Sequence, residues 1–327
     1  MYFLLHWLLV FSLADDHVYT VKGPMPISAM GLTLTHEHFL VDFIGADKID
    51  STRWNRTAVV NKVVPYIRAV QLMGIRTIFD CTPAYLGRDP VLLKAISDST
   101  GIHIITNTGL YGAGNNKYLP NYAFTETAEQ LADRWISEWD DGIAGTGIRP
   151  GFIKIGVNDG TLSPLHKKLV EAAAITHLAT GLTICSHTGH ATAAFEEIMV
   201  LKKSGVDPSA FVWVHAQAET DIGQLIKAAR MGAWISLDGI GGGVVTEYIQ
   251  KLYSLKSMGV LNHVLISHDA GWYKPGEPDG GEFNGFTTIS QQLVPALKNN
   301  GFTQSDLDTL LIINPAAAFQ PSIRAKE

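Results

Sequence analysis

The sequence predicts an α/β fold: a (β/α)8 barrel of the TIM-barrel type, in a single domain. Strand-like runs alternate with helical segments eight times within 327 residues, and several of these helical segments end in a glycine just before the next strand. Such alternation is typical of a parallel sheet with crossover helices, and eight units fit a closed barrel. An open dinucleotide-binding sheet would need a glycine fingerprint after the first strand, where this chain has HEHFLVDF.

The eight strand-like runs are short, apolar and rich in β-branched residues, as buried parallel strands are. In chain order they are LTLTHEH (32–38), IRTIFDCT (75–82), IHIITNTG (102–109), GFIKIG (151–156), LTICSH (182–187), FVWVHA (211–216), AWISLD (233–238) and HVLISHD (263–269).

The segment 164–181 shows the helical pattern most clearly. Leu165, Leu169 and Ala172 recur on one face, which predicts a helix, and Gly181 supplies its C-terminal stop. The segments 196–208 and 221–232 have the same form, so we expect crossover helices at all three places.

Composition excludes some classes of function. The formal net charge is -6 and no basic stretch stands out, which argues against a nucleic-acid partner. The two cysteines, Cys81 and Cys185, each lie inside an apolar run. We therefore expect two buried thiols and no disulfide framework.

The N-terminus indicates a possible secretory signal. Residues 1–13 are apolar but too few to span a bilayer, and small residues at 12 and 14 precede two aspartates. We predict a signal peptide over residues 1–14, a domain over 15–327, and a secreted or periplasmic location. The positive n-region is missing, so the alternative is a cytoplasmic protein whose N-terminus packs on the domain.

Polar side chains stand where predicted strands end, and in such a barrel that edge carries the active site. Side chains alternate along a strand, so His36 and His38 project to one side and Glu37 to the other. Four histidines and one carboxylate suit Zn²⁺ or a similar divalent ion. The predicted ligands at strand ends are His36, His38, His187, His215 and Asp269.

Lys154 lies within the fourth strand and therefore beside this cation site. An ammonium group there would be repelled and costly to bury. Two solutions remain open at this point: a neutral base or Schiff-base nucleophile, or a carbamate formed with CO2, which could bridge two metal ions. The histidine cluster favours the carbamate.

Motifs along the chain resemble the phosphotriesterase family of the amidohydrolase superfamily. They occur in order from about residue 18 to 320, and they are TVKGPM, GLTLTHEHF, GIRTIFDCTPAYLGRDP, IITNTGLY, GIRPGFIKIG, SHTG, VHAQAETD, VLISHDAG and NPAAAF. The resemblance implies a (β/α)8 barrel with two divalent ions, commonly zinc. His36, His38 and Asp269 would hold one ion, His187 and His215 the other, and N6-carboxylated Lys154 would bridge them.

The resemblance also implies an activity. A hydroxide that bridges the two ions would attack a lactone, carboxylic ester or organophosphate ester, and Asp269 would take its proton. The expected partner is a small-molecule substrate; family members are often homodimers, and no transmembrane segment is predicted. Other classes are a Schiff-base lyase or aldolase using Lys154, and a binding protein without catalysis.

Four residues are predicted to contact substrate. Tyr111 follows TNTGL, where lactonases of the family carry a tyrosine, and this favours a lactone. Gly239 opens a glycine-rich loop whose backbone N–H groups could bind an anionic group of the substrate. Trp272 and Tyr273 lie in the long loop after the last strand.

Overall fold

Eight parallel strands form a closed barrel in the computed structural model, which describes residues 16–241 and 244–326. The predicted barrel fold is confirmed. The strands are β1 Leu32–Leu40, β2 Ile75–Asp80, β3 His103–Ile105 with its continuation Asn107–Thr108, β4 Phe152–Gly156, β5 Ile184–His187, β6 Phe211–Val214, β7 Trp234–Leu237 and β8 Val264–Ile266. The proposed signal segment 1–14 lies outside the described residues, so it and the domain boundary behind it stay predictions.

The barrel closes between its last and first strands. Consecutive strands pair in parallel from β1 to β8, and after β8 a short strand, Gly271–Tyr273, pairs in parallel with β1. Gly271 lies opposite His38 in this pairing, and the Asp269 N–H donates to the His36 carbonyl at 3.0 Å. The first strand and the segment after the last strand therefore meet at the predicted ligand residues.

A crossover helix follows each strand and covers the outside of the barrel. These helices are α1 Arg56–Gln71, α2 Pro90–Thr100, α3 Ala128–Asp141, α4 Pro164–Thr180, α5 Ala191–Lys203, α6 Ile222–Arg230, α7 Val245–Ser257 and α8 Val294–Asn299. Shorter helices are Tyr122–Thr125, Gln304–Asp308 and Asn314–Phe319, and π-helical turns are Ile289–Leu293 and Thr309–Ile313. None of the helices within the described residues is long and apolar enough to cross a bilayer.

Local sequence signals explain where α4 begins and ends. The Ser163 side chain accepts a hydrogen bond from the His166 N–H, and Pro164 occupies the first turn. Gly181 ends the helix in the left-handed conformation, with φ of 73°. The predicted helix and its glycine stop are both confirmed.

The barrel interior is filled by apolar side chains below the strand ends. Phe79, Phe152 and Phe319 pack against one another there. Residues of an N-terminal hairpin, His17–Thr20 and Gly23–Pro26, join this cluster from below through Val18 and Met25. Cys81 and Cys185 belong to the same cluster as buried free thiols, as predicted.

Gly271 makes the closest backbone approach at the barrel seam. Its φ is +104°, and a β-carbon there would lie 1.8 Å from the His38 carbonyl oxygen. We expect Gly271→Ala to lower the free energy of unfolding by at least about 3 kcal/mol, because steric overlap adds to backbone strain. Urea denaturation measures this loss. Gly259→Ala is the control, since its φ is +72° but nothing lies within 4 Å of the added carbon; equal losses in both variants would contradict the steric argument.

Candidate metal centre

Six predicted ligand residues line one cavity at the C-terminal end of the barrel. They come from five strand ends or the turns directly after them, and they are His36, His38, Lys154, His187, His215 and Asp269. The structure thus brings together residues that are far apart in the sequence, since His36 and Asp269 are separated by 233 positions. Parallel strands end at one edge of the barrel, which explains this convergence.

The His36, His38 and Asp269 side chains form a compact donor group. Their potential ligand atoms all lie within 4.8 Å of one another. The Asp269 Oδ1 atom is 3.1 Å from His38 Nε2 and 3.6 Å from His36 Nε2. Burial would raise the pKa of Asp269, but the nearby His36 and His38 side chains hold it well below its usual range. Asp269 is therefore an ionised oxygen donor.

The tautomer of His38 follows from its partner. Thr82 donates its one hydroxyl proton to the Leu40 carbonyl at 3.1 Å, so its oxygen accepts from His38 Nδ1–H at 2.8 Å. The Nε2 atom of His38 then faces Asp269 and the cavity. An imidazole oriented by a hydrogen bond on its other nitrogen is the usual arrangement of a histidine metal ligand.

Asp238, at the end of β7, orients two more histidines. This buried carboxylate accepts from His36 Nδ1 at 3.2 Å and from His215 Nδ1 at 2.6 Å. Burial would raise the pKa of Asp238, but His215 and His36 hold it well below its usual range. Sequence reasoning left Asp238 out of the site. Its position as the last residue of the run AWISLD was the signal that could have included it.

His187 faces His215 across the cavity. The two ring centroids are 4.4 Å apart, and the Tyr111 hydroxyl lies 3.0 Å from His187 Nδ1. Burial, together with His215 and Lys154, lowers the pKa of His187 well below its ordinary value, and burial lowers that of His36 to about 4. Both imidazoles are therefore neutral near pH 7, which is the form that binds metals.

Lys154 reaches the same cavity from β4 and is buried, with 2% of its surface exposed. Among the described residues, the carboxylates of the site, Asp238 and Asp269, form their ion pairs with His36, His38 and His215 and not with Lys154. A buried ammonium without a partner is strongly unfavourable. A lysine that is buried along its chain and lines a cavity of histidines fits a residue that is converted to an anionic ligand.

Two of the six residues have strained backbones. His215 has φ of 62° and Asp269 has φ of 51°, in the left-handed region that non-glycine residues rarely adopt. Such strain costs about 1–3 kcal/mol per residue and concentrates at functional sites. At both places the chain turns sharply as the strand ends, which directs the side chain into the cavity.

Glu37 and His268 point away from the cavity, as alternation predicts. The Glu37 carboxylate accepts from Ser267 Oγ at 2.8 Å, from His268 Nδ1 at 2.7 Å and from the Ala270 N–H at 3.1 Å. His268 in turn accepts from the Ile289 N–H at 3.0 Å. Glu37 thus fastens β1 to the segment that carries Asp269.

The predicted substrate residues divide into two groups. Tyr111 and Trp272 line the cavity. Tyr273 does not, because successive side chains of the strand Gly271–Tyr273 alternate and its ring packs beside Gly280. Gly239 lies behind the cavity against Gln217 and Tyr248, and Gly242 and Gly243 of its loop lie outside the described residues.

The cavity wall above the histidines is apolar. It is formed by Val41, Phe43, Pro83, Leu86 and Trp272. Apart from the histidines, Lys154 is the one basic side chain among the described residues that line the cavity. Phe43 and Trp272 meet edge to face with ring centroids 5.9 Å apart. Polar groups are therefore concentrated on the floor of the cavity.

Glu197 of α5 lies behind His187 and is fully buried. Its carboxyl group is hydrogen-bonded to the hydroxyls of Ser186 and Thr188, which flank His187. Burial raises the pKa of Glu197 from 4.5 to about 8. Between these two values of pH, Glu197 is protonated in the folded chain and ionised in the unfolded chain. The stability that this bound proton contributes is therefore fully present below about pH 4.5 and is lost as pH rises through about 8.

We expect Glu197→Gln to remove that pH dependence, because the amide resembles the protonated acid. Between about pH 5 and pH 9 the unfolding free energy of the wild type should fall relative to that of the variant. Urea denaturation at several pH values measures both curves, with exposed Glu247→Gln as control. Parallel curves for the wild type and Glu197→Gln would contradict a raised pKa at this residue.

Comparison with known proteins agrees with this geometry. The phosphotriesterase family model matches residues 16–319. The chain belongs to the phosphotriesterase family. It is 29% identical over 300 residues to the phosphotriesterase homology protein of Escherichia coli, across 90% of this chain and 100% of that protein. It is 27% identical to an N-acetyltaurine hydrolase of Danio rerio, across 91% of this chain and 96% of that protein.

A solved structure shares the fold of this phosphotriesterase-family chain. The organophosphorus hydrolase of Deinococcus radiodurans superposes with a TM-score of 0.85 at 29% identity, covering 94% of this chain and 97% of that one. Family membership and the clustered His and Asp donors together make this chain a hydrolase with a candidate metal centre.

Proposed function

We propose that the chain is a hydrolase that uses two divalent metal ions, with zinc the ion its donor set favours, to cleave an uncharged carboxylic ester or lactone. The observation that carries this proposal is the convergence of four imidazoles, one carboxylate and an unpaired buried lysine on one cavity floor. His36, His38 and Asp269 would hold one ion, and His187 and His215 the other. Carboxylated Lys154 would be shared between them, by attack of its amine on CO2 with loss of one proton.

The ions, when bound, would make a water molecule acidic enough to ionise near neutral pH, and they would also polarise the oxygen of the scissile group. The chain's own residues do the rest. Asp269 is ionised and stands beside both His36 and His38, so its carboxylate is placed to accept the proton of the attacking water and return it to the leaving group. Tyr111 presents its hydroxyl at the cavity, where it can donate to an oxygen of the substrate.

The cavity wall supports an uncharged substrate. Among the described residues that line the cavity, the wall of Phe43, Leu86 and Trp272 contributes no cationic side chain to pair with an anionic group placed against it, and an unpaired charge there is costly. An ester or lactone instead places its carbonyl on the polar floor and its alkyl part against the apolar wall. An organophosphate triester is also uncharged and is the second candidate, because the Deinococcus radiodurans protein is an organophosphorus hydrolase.

The test combines metal analysis with an activity screen. The purified protein should contain two zinc-class ions per chain, lose activity with a chelator, and recover it with zinc, cobalt or manganese. The screen compares neutral lactones, aryl esters and phosphotriesters with a phosphorylated lactone and with N-acetyltaurine. Activity that survives complete metal removal would refute the metal-dependent mechanism, and preference for the anionic substrates would refute the substrate class.

A Schiff-base lyase or aldolase makes the opposite prediction. Borohydride together with a carbonyl substrate would trap Lys154 covalently in such an enzyme, whereas the hydrolase should be unaffected. A binding protein without catalysis would show no turnover of any compound in the screen after metal loading.

A further inference from the structure

The Gln217 side chain holds Asp238 at two points. Its Nε2 group donates to Asp238 Oδ1 at 3.0 Å, and its Oε1 atom accepts from the Asp238 backbone N–H at 3.1 Å. A carboxylate only accepts and a backbone N–H only donates, so the chemistry of both partners fixes the orientation of this amide. Gln217 thereby constrains both the backbone and the side chain of Asp238.

Asp238 is shared by two of the candidate ligands. Its Oδ1 atom accepts from His215 Nδ1, and its Oδ2 atom accepts from His36 Nδ1 at 3.2 Å and from Ser236 Oγ at 2.7 Å. By the assignment proposed above, His36 serves one ion and His215 the other. A rotation of this one carboxylate would therefore turn both imidazoles away from their positions.

The chain leaves room for Gln217 by having glycine at position 239. A β-carbon on Gly239 would lie 2.8 Å from Gln217 Nε2 and 2.6 Å from the Tyr248 hydroxyl. The φ of Gly239 is not in the left-handed region, so a larger residue here would be opposed by the Gln217 and Tyr248 side chains and not by backbone conformation. The close fit indicates a defined position for the Gln217 amide.

The backbone before Gln217 explains how it reaches β7. His215 adopts φ of 62°, and a 3-10 turn, Ala216–Ala218, follows at once. The turn is closed by the Ala218 N–H, which donates to the His215 carbonyl at 3.0 Å. This reversal directs the Gln217 side chain back toward Asp238 at the end of the neighbouring strand.

We propose that Gln217 is a positioning residue that sets the metal affinity of both ion positions through Asp238. It touches neither ion nor substrate. By holding the carboxylate it keeps the Nδ1 atoms of His36 and His215 engaged and their Nε2 atoms available to the cavity. This inference rests on the proposed function only in that the ions bind at these histidines.

The experiment compares Gln217→Ala, which removes both contacts, with Gln217→Glu, which keeps the acceptor for the Asp238 N–H but replaces the donor by a second carboxylate. Calorimetric titration of the metal-free protein with zinc or cobalt alone gives both affinities. Outer partners of metal ligands typically contribute 10–100-fold in affinity. We expect about 10-fold weaker binding for Gln217→Ala, and a larger loss for Gln217→Glu because two carboxylates face each other.

Gln304 provides a matched control, because its amide also donates to an aspartate, Asp308 at 2.9 Å, but on an exposed helix. Gln304→Glu should leave both metal affinities unchanged. Metal affinities of Gln217→Ala and Gln217→Glu within about twofold of the wild type would overturn the proposal, as would a loss of equal size in Gln304→Glu.

A second measurement separates this inference from the proposed function. Histidine-labelled, metal-free protein is examined by ¹H–¹⁵N NMR for the Nδ1–H of His215, which the Asp238 hydrogen bond should protect from exchange. Faster exchange in Gln217→Ala supports the positioning role, and unchanged exchange overturns it. A wild type that shows this protected proton and binds the metal ions but turns over no ester would refute the proposed function alone.

Discussion

Replacing Lys154 by alanine should remove metal and activity together. The side chain is buried on the cavity floor without a partner among the described residues, so its conversion to a carbamate would supply the negative charge that two adjacent cations require. Without it at least one ion should be lost, and kcat/KM should fall on the order of 10³-fold or more, since metal ions supply several kcal/mol to the reaction. Metal analysis by mass spectrometry and ester hydrolysis rates measure the two effects.

Chemical rescue makes this prediction specific. A short carboxylate such as acetate or formate should restore part of the metal content and activity of Lys154→Ala, because it can occupy the volume that the carbamate leaves. Lys154→Glu should retain some metal without any addition. Lys94→Ala, at an exposed lysine paired with Asp98, is the control and should behave as the wild type. A Lys154→Ala protein with full metal content and no activity would instead support a nucleophilic lysine.

Asp269→Asn is the second substitution with a large expected effect. Asparagine has the same shape and tolerates the left-handed backbone at this position, so the fold should be retained. The amide cannot accept the proton of the attacking water, and loss of a general base typically lowers the rate 10²–10⁴-fold. Steady-state kinetics after metal loading measures this loss.

The choice of substrate separates proton transfer from metal binding. If Asp269 returns its proton to the leaving group, the variant should lose more activity with an aliphatic lactone, whose alkoxide leaves poorly, than with a nitrophenyl ester. Equal losses with both substrates, together with reduced metal content, would assign Asp269 to metal binding alone. Circular dichroism of the variant excludes unfolding as the cause.

Much of the site could be predicted because strand alternation is a local property. The period of two placed His36 and His38 on one side and Glu37 on the other, and the structure agrees. Alternation also placed His268 outside, although its pairing with Glu37 depends on two strands 231 positions apart. That pairing could not be read from either strand alone.

The differences from the prediction arose where the chain leaves a strand. The backbone enters the left-handed region at Asp269 and again at Trp272, so position in the sequence no longer indicates which side chain faces the cavity. Trp272 lines it and Tyr273 does not. Asp238 was missed because its role depends on partners from β1 and β6, which are neighbours only in three dimensions.

The seam between β1 and the segment after β8 has a consequence for the order of folding. Glu37 and its partners on that segment are separated by 230 residues or more, which is over two thirds of the chain's length of 327 residues. Contacts of such high sequence separation form slowly because the intervening loop must close first. A nascent chain therefore has His36 and His38 available long before Asp269 has been synthesised. The first metal position should become competent only after the last barrel strand has joined the first, so that ion uptake reports completion of the barrel.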